Sequence, residues 1–536
     1  MSDANVVIVG SGPAGVSAAW PLLNAGLRVH MIDPGVSRED ATALDGRDFV
    51  ERRFGDSEQW RVFLGSDASI LENASPKLQA PEYSHVFRDF RDRYRIVADA
   101  FAAHGSLAPG GLSNAWGTGV GAFTDRELRE YPFRRADLLP SYNAVATRIG
   151  VSGSADDELS EWYGNDYPLQ TPHPVEPNFE PIYARHNRRV QRFGRGAPGS
   201  FRMGRPQHAV LTEDLGERSR CDLRGMCMFG CQRRAIYNAA DELTALRAQS
   251  GFTYSSGWFV TNVVAEDGRF AARAVGMRDG GERSFRGDRV FLAAGTLGST
   301  KLALEMLGAY DVDVPLLTTP ILAFALCSVA SLFAPPVERG YALSQLAFAL
   351  ELVEIDGAPE IFGGLFPTSG MLPTELYGRI PLLRPFGRRI GAWIWPRMLA
   401  TLCFFPGTYS RNTLRLRTGG ELAVHGGYAD SLRIAVRHAV RRLTEEFAKL
   451  GVRLLPGSTS LNRPGEEMHY AGTLPMRERP TRYETDREGR LAGIDSVHVV
   501  DGAVLTTLPA KSHTFTIMAN ADRIARIVAA RTVGSA

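Results

Sequence analysis

The chain has 536 residues, 44% hydrophobic, 22% charged and 9% aromatic, which excludes a disordered, collagenous or coiled-coil protein and exceeds one ordinary core of roughly 100–200 residues. Its 61 basic residues against 59 acidic ones leave a formal charge of +2, so it lacks the global field that gathers nucleic acid. Five cysteines are too few for a disulfide scaffold.

In chain order, residues 5–9 predict a strand, 13–25 an apolar helix and 27–32 a second strand ending at Asp33. Before the strand there is no basic region, and after it no small-residue cleavage site, so the start does not read as a signal peptide and a cytoplasmic location is expected. Gly10, Gly12 and Gly15 stand at G-x-G-x-x-G spacing between strand and helix. In a dinucleotide-binding turn, Gly10 permits the tight turn, Gly12 admits a pyrophosphate and Gly15 lets helix and strand pack closely. Asp33 can then accept from a ribose hydroxyl. The competing reading is a glycine-rich structural turn, and position alone does not separate FAD from NAD.

Residues 109–121, PGGLSNAWGTGVG, suggest backbone lying against something flat, with a floppy loop as the alternative. A second strand–helix unit is predicted at 289–295 and the following TLGSTKLALEML. Residues 314–337 carry no charge at all for a length that could span a membrane, but Pro315, Pro320, Pro335 and Pro336 favour buried strands of a second domain. Residues 376–420 lack acids, and arginines alternate there with aromatic and aliphatic residues. Such a segment could rest on an anionic membrane, making the protein peripheral at its inner face, or cover a lipid-like substrate; an Arg-fringed substrate lid is the alternative. Residues 428–450 predict an amphipathic helix, with Asp430 near its start and Gly451 as its stop.

Near the C-terminus lie His469, in MHYAGTLPM, and His513, just before a helix predicted from about Thr516. An imidazole can take the hydroxyl proton as hydride leaves an alcohol carbon, and a helix N-terminus beside it favours adjacent negative charge. Cys221, Cys227 and Cys231 crowd into CDLRGMCMFGCQRRAIYN. Such thiolates could converge on an iron–sulfur cluster, three ligands suiting a [3Fe-4S] centre, or be three reduced cysteines in a loop.

These dispersed segments together resemble the glucose-methanol-choline (GMC) oxidoreductases, FAD enzymes that oxidise alcohol and sugar hydroxyls. GGLSNAW, Gly110 to Trp116, resembles the family's loop along the isoalloxazine ring, and AAGTLGSTKLAL its second signature. The HxxGT of His469, Gly472 and Thr473 resembles the segment bearing the base, and Asp501, His513 and Thr516 resemble its closing motif. The resemblance implies an α/β fold in which a Rossmann-type FAD-binding domain (residues 1–150, 221–310 and 451–536) is interleaved with a substrate-binding domain on a mostly antiparallel sheet (151–220 and 311–450). It implies His469 as base, His513 as its partner, and FAD contacts at Gly10, Gly12, Gly15, Asp33, Gly110, Gly111, Ser113, Asn114, Trp116, Val260, Ala294, Gly295, Asp501, Gly502 and Thr514. The ring-facing loop offers Ala115 where some members carry a flavin-linked histidine, so FAD is expected to be non-covalent. The cysteine segment resembles that of bacterial FAD-dependent glucose dehydrogenase catalytic subunits. That likeness implies a sugar or lipid-linked hydroxyl substrate and electrons passed through the cluster to an external acceptor, a quinone, cytochrome or small partner subunit. The rival readings are a monooxygenase or desaturase-like flavoenzyme acting on an apolar substrate, and a non-enzymatic binding protein.

Overall fold

The computed structural model describes residues 4–38, 45–64, 76–194, 201–266, 268–332, 334–335, 337, 339–371 and 395–534. At the centre of the first sheet lies Ala4–Val9, with Val6, Val7, Ile8 and Val9 all buried, as a β-branched strand covered on both faces must be. It pairs in parallel with Val29–Asp33 and with Glu282–Leu292, Val6 standing opposite Val29 and Arg289. Phe252–Ser256 and Val497–Val499 extend the parallel row on the two sides. The N-terminal half of Glu282–Leu292 turns instead to an antiparallel meander with Arg269–Gly276 and Trp258–Glu266. That pairing is why this strand starts earlier than the predicted 289.

Helices Pro13–Asn24 and Thr514–Gly534 share the core above this sheet. Alanines such as Ala14, Ala18, Ala521 and Ala525 are buried in that core, and their small side chains permit close packing. The second helix begins at Thr514, two residues before the predicted Thr516.

A second sheet, antiparallel throughout, runs in the order Val452–Leu454, Ile321–Ser328, Met398–Phe404, Glu360–Pro367, Leu346–Glu351, Arg202–Gly204. One face is covered by the helix Ser431–Lys449, whose Leu432, Ala435, Ala439, Leu443 and Phe447 recur at helical spacing and pack on Leu322, Phe324, Leu326, Leu365 and Leu399. Asp430 stands at its N-cap, and Gly451, at φ +76°, follows its end. The other face is left to a cavity. The sheet draws on Val452–Leu454 and Ser460–Leu461, beyond residue 450. A third, four-stranded sheet joins Ile96–Asp99, Leu422–His425, Asn412–Leu416 and Asp313–Leu316.

The uncharged run 314–337 thus contributes strands, and no helix among the described residues is long and apolar enough to cross a membrane. Of the basic segment 376–420, residues 376–394 lie outside the described residues. The remainder enters sheets: Met398–Phe404 sits between two neighbours, and Arg415 pairs through two nitrogens with Asp313 at 2.8 and 2.6 Å. Acids missing from the local sequence are supplied by another strand, so this part is not an unpaired basic surface.

Candidate active site

A cavity of about 1240 Å³ runs from the glycine turn after Ala4–Val9, across the first sheet, to the open face of the second. That exceeds the roughly 300–1,000 Å³ of ordinary small-molecule sites, leaving room for a dinucleotide and a second molecule.

Three helix starts border the cavity. Gly12, Gly295 and Thr514 all line the cavity, at the N-termini of Pro13–Asn24, Thr296–Met306 and Thr514–Gly534. Unpaired amides and the helix dipole at such ends favour anionic groups. The glycines divide by role. A Cβ at Gly10 would lie 2.4 Å from the Ala293 carbonyl oxygen, and one at Gly15 2.1 Å from that of Gly10; both are demanded by close packing of protein on protein. A Cβ at Gly12 would meet no protein atom within 4 Å, so there the missing side chain leaves room in the cavity itself.

Asp33, buried at the end of its strand, accepts from the Gly35 amide at 2.7 Å and from the Ser11 amide at 3.1 Å, and also from the Ser11 hydroxyl. Burial pushes its carboxyl above the usual range. An ionised carboxylate has about four acceptor sites, which leaves capacity for a ribose hydroxyl on the cavity side. The Ser11 hydroxyl also accepts from the Gly110 amide at 3.2 Å, tying the glycine turn to the next loop.

In that loop Gly110 sits at φ +86° and Gly111 at φ +59°. Ser113 Oγ donates to the Gly110 carbonyl at 2.6 Å and accepts from the Ala239 amide at 2.9 Å; Trp116 Nε1 donates to the Tyr237 carbonyl at 2.9 Å. Gly111, Ser113, Ala115 and Trp116 line the cavity. Gly110 does not, and Asn114 turns back to the Pro109 and Gly111 carbonyls at 2.9 and 2.7 Å. These two shape the loop from behind. Val260, Ala294, Asp501 and Gly502 also line the cavity, whereas Gly15 is packing alone. Thr516 bonds to the Tyr142 hydroxyl at 2.8 Å, away from the cavity.

The two predicted histidines meet on the cavity wall, rings 4.9 Å apart and nearly perpendicular at 84°. His469 Nδ1 is 2.6 Å from Thr319 Oγ1, and its ring stacks on Phe404 at 5.6 Å and 22°. His513 precedes the helix start, its carbonyl accepting from the Ile517 amide at 2.9 Å, and its buried Nδ1 has no partner. Burial lowers His469 to about 4; burial, with the neighbouring His469, takes His513 well below its usual value. Both imidazoles are therefore neutral at pH 7.

Sequence reading missed Thr319, Phe404 and Glu467, because none stands in a motif. Glu467 lines the cavity, its oxygens accepting from Asn462 Nδ2 at 2.5 Å and the Gly465 amide at 3.2 Å, and burial raises its carboxyl to about 8. A folded-state value raised above the unfolded one means stability present below about 4.5 and lost as pH rises through about 8. Exchanging Glu467→Gln removes that loss. The melting temperature of the variant, relative to the parent, is expected to climb between pH 5 and pH 9 whatever its constant offset, and thermal melts across that range check it.

The cysteine cluster is not assembled as a ligand set. Cys227 is buried and Cys221 and Cys231 half-buried in an apolar cluster with Val210, Leu211, Ala235 and Tyr341. Burial raises the Cys221 thiol to about 11 and Cys227 further. Among the described residues no three His, Cys, Asp or Glu side chains are placed to hold a metal ion. The [3Fe-4S] expectation finds no support here.

Residues 409–521, which include His469, Asp501 and His513, match the family model described as GMC oxidoreductase. No curated protein matches the chain. Among solved structures, pyridoxine 4-oxidase from Mesorbium loti is similar with a TM-score of 0.60 at 18% identity, covering 98% of this chain and 99% of that one. Formate oxidase is similar with a TM-score of 0.59 at 13% identity, covering 99% and 98%. The chain thus has, over nearly its whole length, the fold of these two oxidases, and its C-terminal part matches the GMC oxidoreductase model.

Proposed function

We propose that the chain is a GMC-type oxidoreductase that holds FAD non-covalently and oxidises a CH–OH group to a carbonyl. The observation that carries this reading is the meeting of His469 and His513, beside the Thr514 helix start, on the wall of a cavity that also takes in the Gly295 helix start and an open Gly12. FAD would be held by Gly12, Gly295 and Thr514 at its phosphates and ring, with Asp33 toward the ribose and Gly111 to Trp116 along the ring. When bound, it supplies the acceptor for the hydride that leaves the alcohol carbon.

The chain's own residues handle the proton. With Nδ1–H donating to Thr319 Oγ1, His469 keeps its lone pair on Nε2 and can take the hydroxyl proton as the C–H bond breaks. Stacking on Phe404 fixes the ring plane. His513, neutral and on the cavity wall with its ring 4.9 Å from that of His469, can hold the same hydroxyl by a second hydrogen bond. The Thr514 helix start beside it favours negative charge developing nearby.

The electron acceptor is external. The two similar structures are oxidases by name, so molecular oxygen is the first acceptor to test, ahead of a quinone, cytochrome or partner subunit. An alcohol that bleaches the flavin anaerobically, with NADPH inert, supports the reading; bleaching by NADPH alone favours a monooxygenase, and protein that never takes up FAD a binding role.

The histidines fix the pH dependence. A base whose value is held near 4 remains competent far below the usual 6.5, so the acid limb of kcat/KM is expected near pH 4. Stability follows the same sign: the unfolded chain binds protons below 6.5 and the folded one only below about 4, so stability is lost as pH falls through that window. A pH–rate profile with a limb at 6.5 contradicts the assignment.

A further inference from the structure

The open face of the antiparallel sheet is the far wall of the cavity, and its register can be read in rows. Ile321, Phe404 and Phe362 lie side by side across three strands, as do Ala323, Leu402 and Gly364, and then Ala325, Ala400 and Phe366. All nine line the cavity, because strand alternation sends most of their neighbours to the helix on the other side. Every one is apolar. Phe324 and Thr401, which alternate with them, also border the cavity, and the buried Thr401 hydroxyl has no partner.

Of the polar side chains bordering the cavity here, Ser458 Oγ donates to the Leu455 carbonyl at 2.7 Å, Asn462 donates to Glu467 and accepts from the Ile321 amide, and Arg463 donates to Glu466, while Thr459 and Ser460 are exposed. Ser344 Oγ lies 2.9 Å from His208 Nε2, and Thr319 Oγ1 bonds to His469. The strand amides and carbonyls are used in the ladder. The first row begins at the base, since Phe404 stacks on His469, and beyond it Ala323 and Gly364 open a trough between the phenylalanines. A Cβ at Gly364 would come within 3.0 Å of Ser344 Cβ and 3.2 Å of the Phe366 ring, so the trough cannot accept a larger residue without displacement.

We propose that the substrate is an alcohol on an apolar aryl or alkyl skeleton, lying along this sheet face with its hydroxyl at His469, and not a sugar. A sugar would bury several hydroxyls against these nine apolar residues, and an apolar pocket rejects one added hydroxyl by about 10²-fold. The proposal rests on the oxidation described above, and the test separates the two.

Benzyl alcohol, octan-1-ol and D-glucose are compared as reductants of the FAD-loaded enzyme under anaerobic conditions, and benzaldehyde binding is measured by calorimetry. The expected result is a kcat/KM for the two apolar alcohols at least about 10²-fold above that for glucose, with benzaldehyde binding. In the Leu402→Asn variant, octan-1-ol efficiency is expected to fall about 10²-fold with the flavin spectrum unchanged. Glucose matching the apolar alcohols, or Leu402→Asn leaving octan-1-ol unaffected, overturns the substrate class while the oxidation stands. If benzaldehyde binds but no alcohol bleaches the flavin, the oxidation fails and the apolar site stands; if benzaldehyde does not bind either, the class falls as well.

Discussion

Replacing His469 by alanine is expected to slow alcohol-driven flavin reduction by about 10³-fold, the range over which a positioned general base acts, with FAD still bound. The separation of the two effects follows from position. His469 sits on the substrate side, held by Thr319 and Phe404, while the proposed phosphate contacts lie at Gly12 and Gly295. The His513 ring lies 4.9 Å away, so a residual rate in His469→Ala that disappears in the double variant is the expected signature of two imidazoles sharing one hydroxyl. Rapid-mixing absorbance of the anaerobic variant measures it, and a wild-type rate removes His469 from the mechanism.

The second large effect is at the other end of the cavity. Gly12 has φ −68°, extended backbone any residue can adopt, and an added Cβ meets no protein atom within 4 Å. Gly12→Leu should therefore fold as the parent does and yet fill the phosphate cradle, weakening FAD by about 10³-fold, or ~4 kcal/mol. The variant is expected to purify colourless with an unchanged far-ultraviolet spectrum. Gly10→Leu serves as the contrast: φ is +104° and the Ala293 oxygen stands 2.4 Å from the added Cβ, so that change strains the strand pair and lowers the melting temperature instead. A yellow, fully loaded Gly12→Leu protein would mean that the pyrophosphate does not lie at this turn.

What the sequence disclosed and what it withheld differ by a physical rule. The glycine turn, the Asp33 strand end and the two histidine segments were legible because their chemistry is fixed by neighbours a few residues away. Gly10 and Gly15 serve close packing within one strand–turn–helix unit, and His513 caps the helix that follows it. The substrate wall was not legible. Its character arises when Ile321, Phe404 and Phe362, far apart in the chain, fall into one row by strand register, and no single segment announces that.

Local spacing alone did not reveal the surroundings of other segments. Cys221, Cys227 and Cys231 are close in sequence, but the loop carrying them, with Leu223 at φ +59° and Gly230 at φ +128°, packs them among Val210, Leu211 and Tyr341. Of the arginine-rich segment 376–420, only the part from 395 is described, and there Arg415 finds Asp313 on the adjacent strand and Arg397 Nη2 donates to the Leu332 carbonyl at 2.7 Å. Charge balance across a sheet cannot be read along one strand.

The central claim is that a C–H bond of an alcohol breaks in this cavity while a neutral imidazole removes the hydroxyl proton. Its most direct test is anaerobic flavin reduction by benzyl alcohol and by the same alcohol deuterated at the carbinol carbon, in the parent and in His469→Ala. The account predicts bleaching by both, slower with deuterium, and near-complete loss in the variant; no bleaching by the parent, or an undiminished rate in the variant, would contradict it.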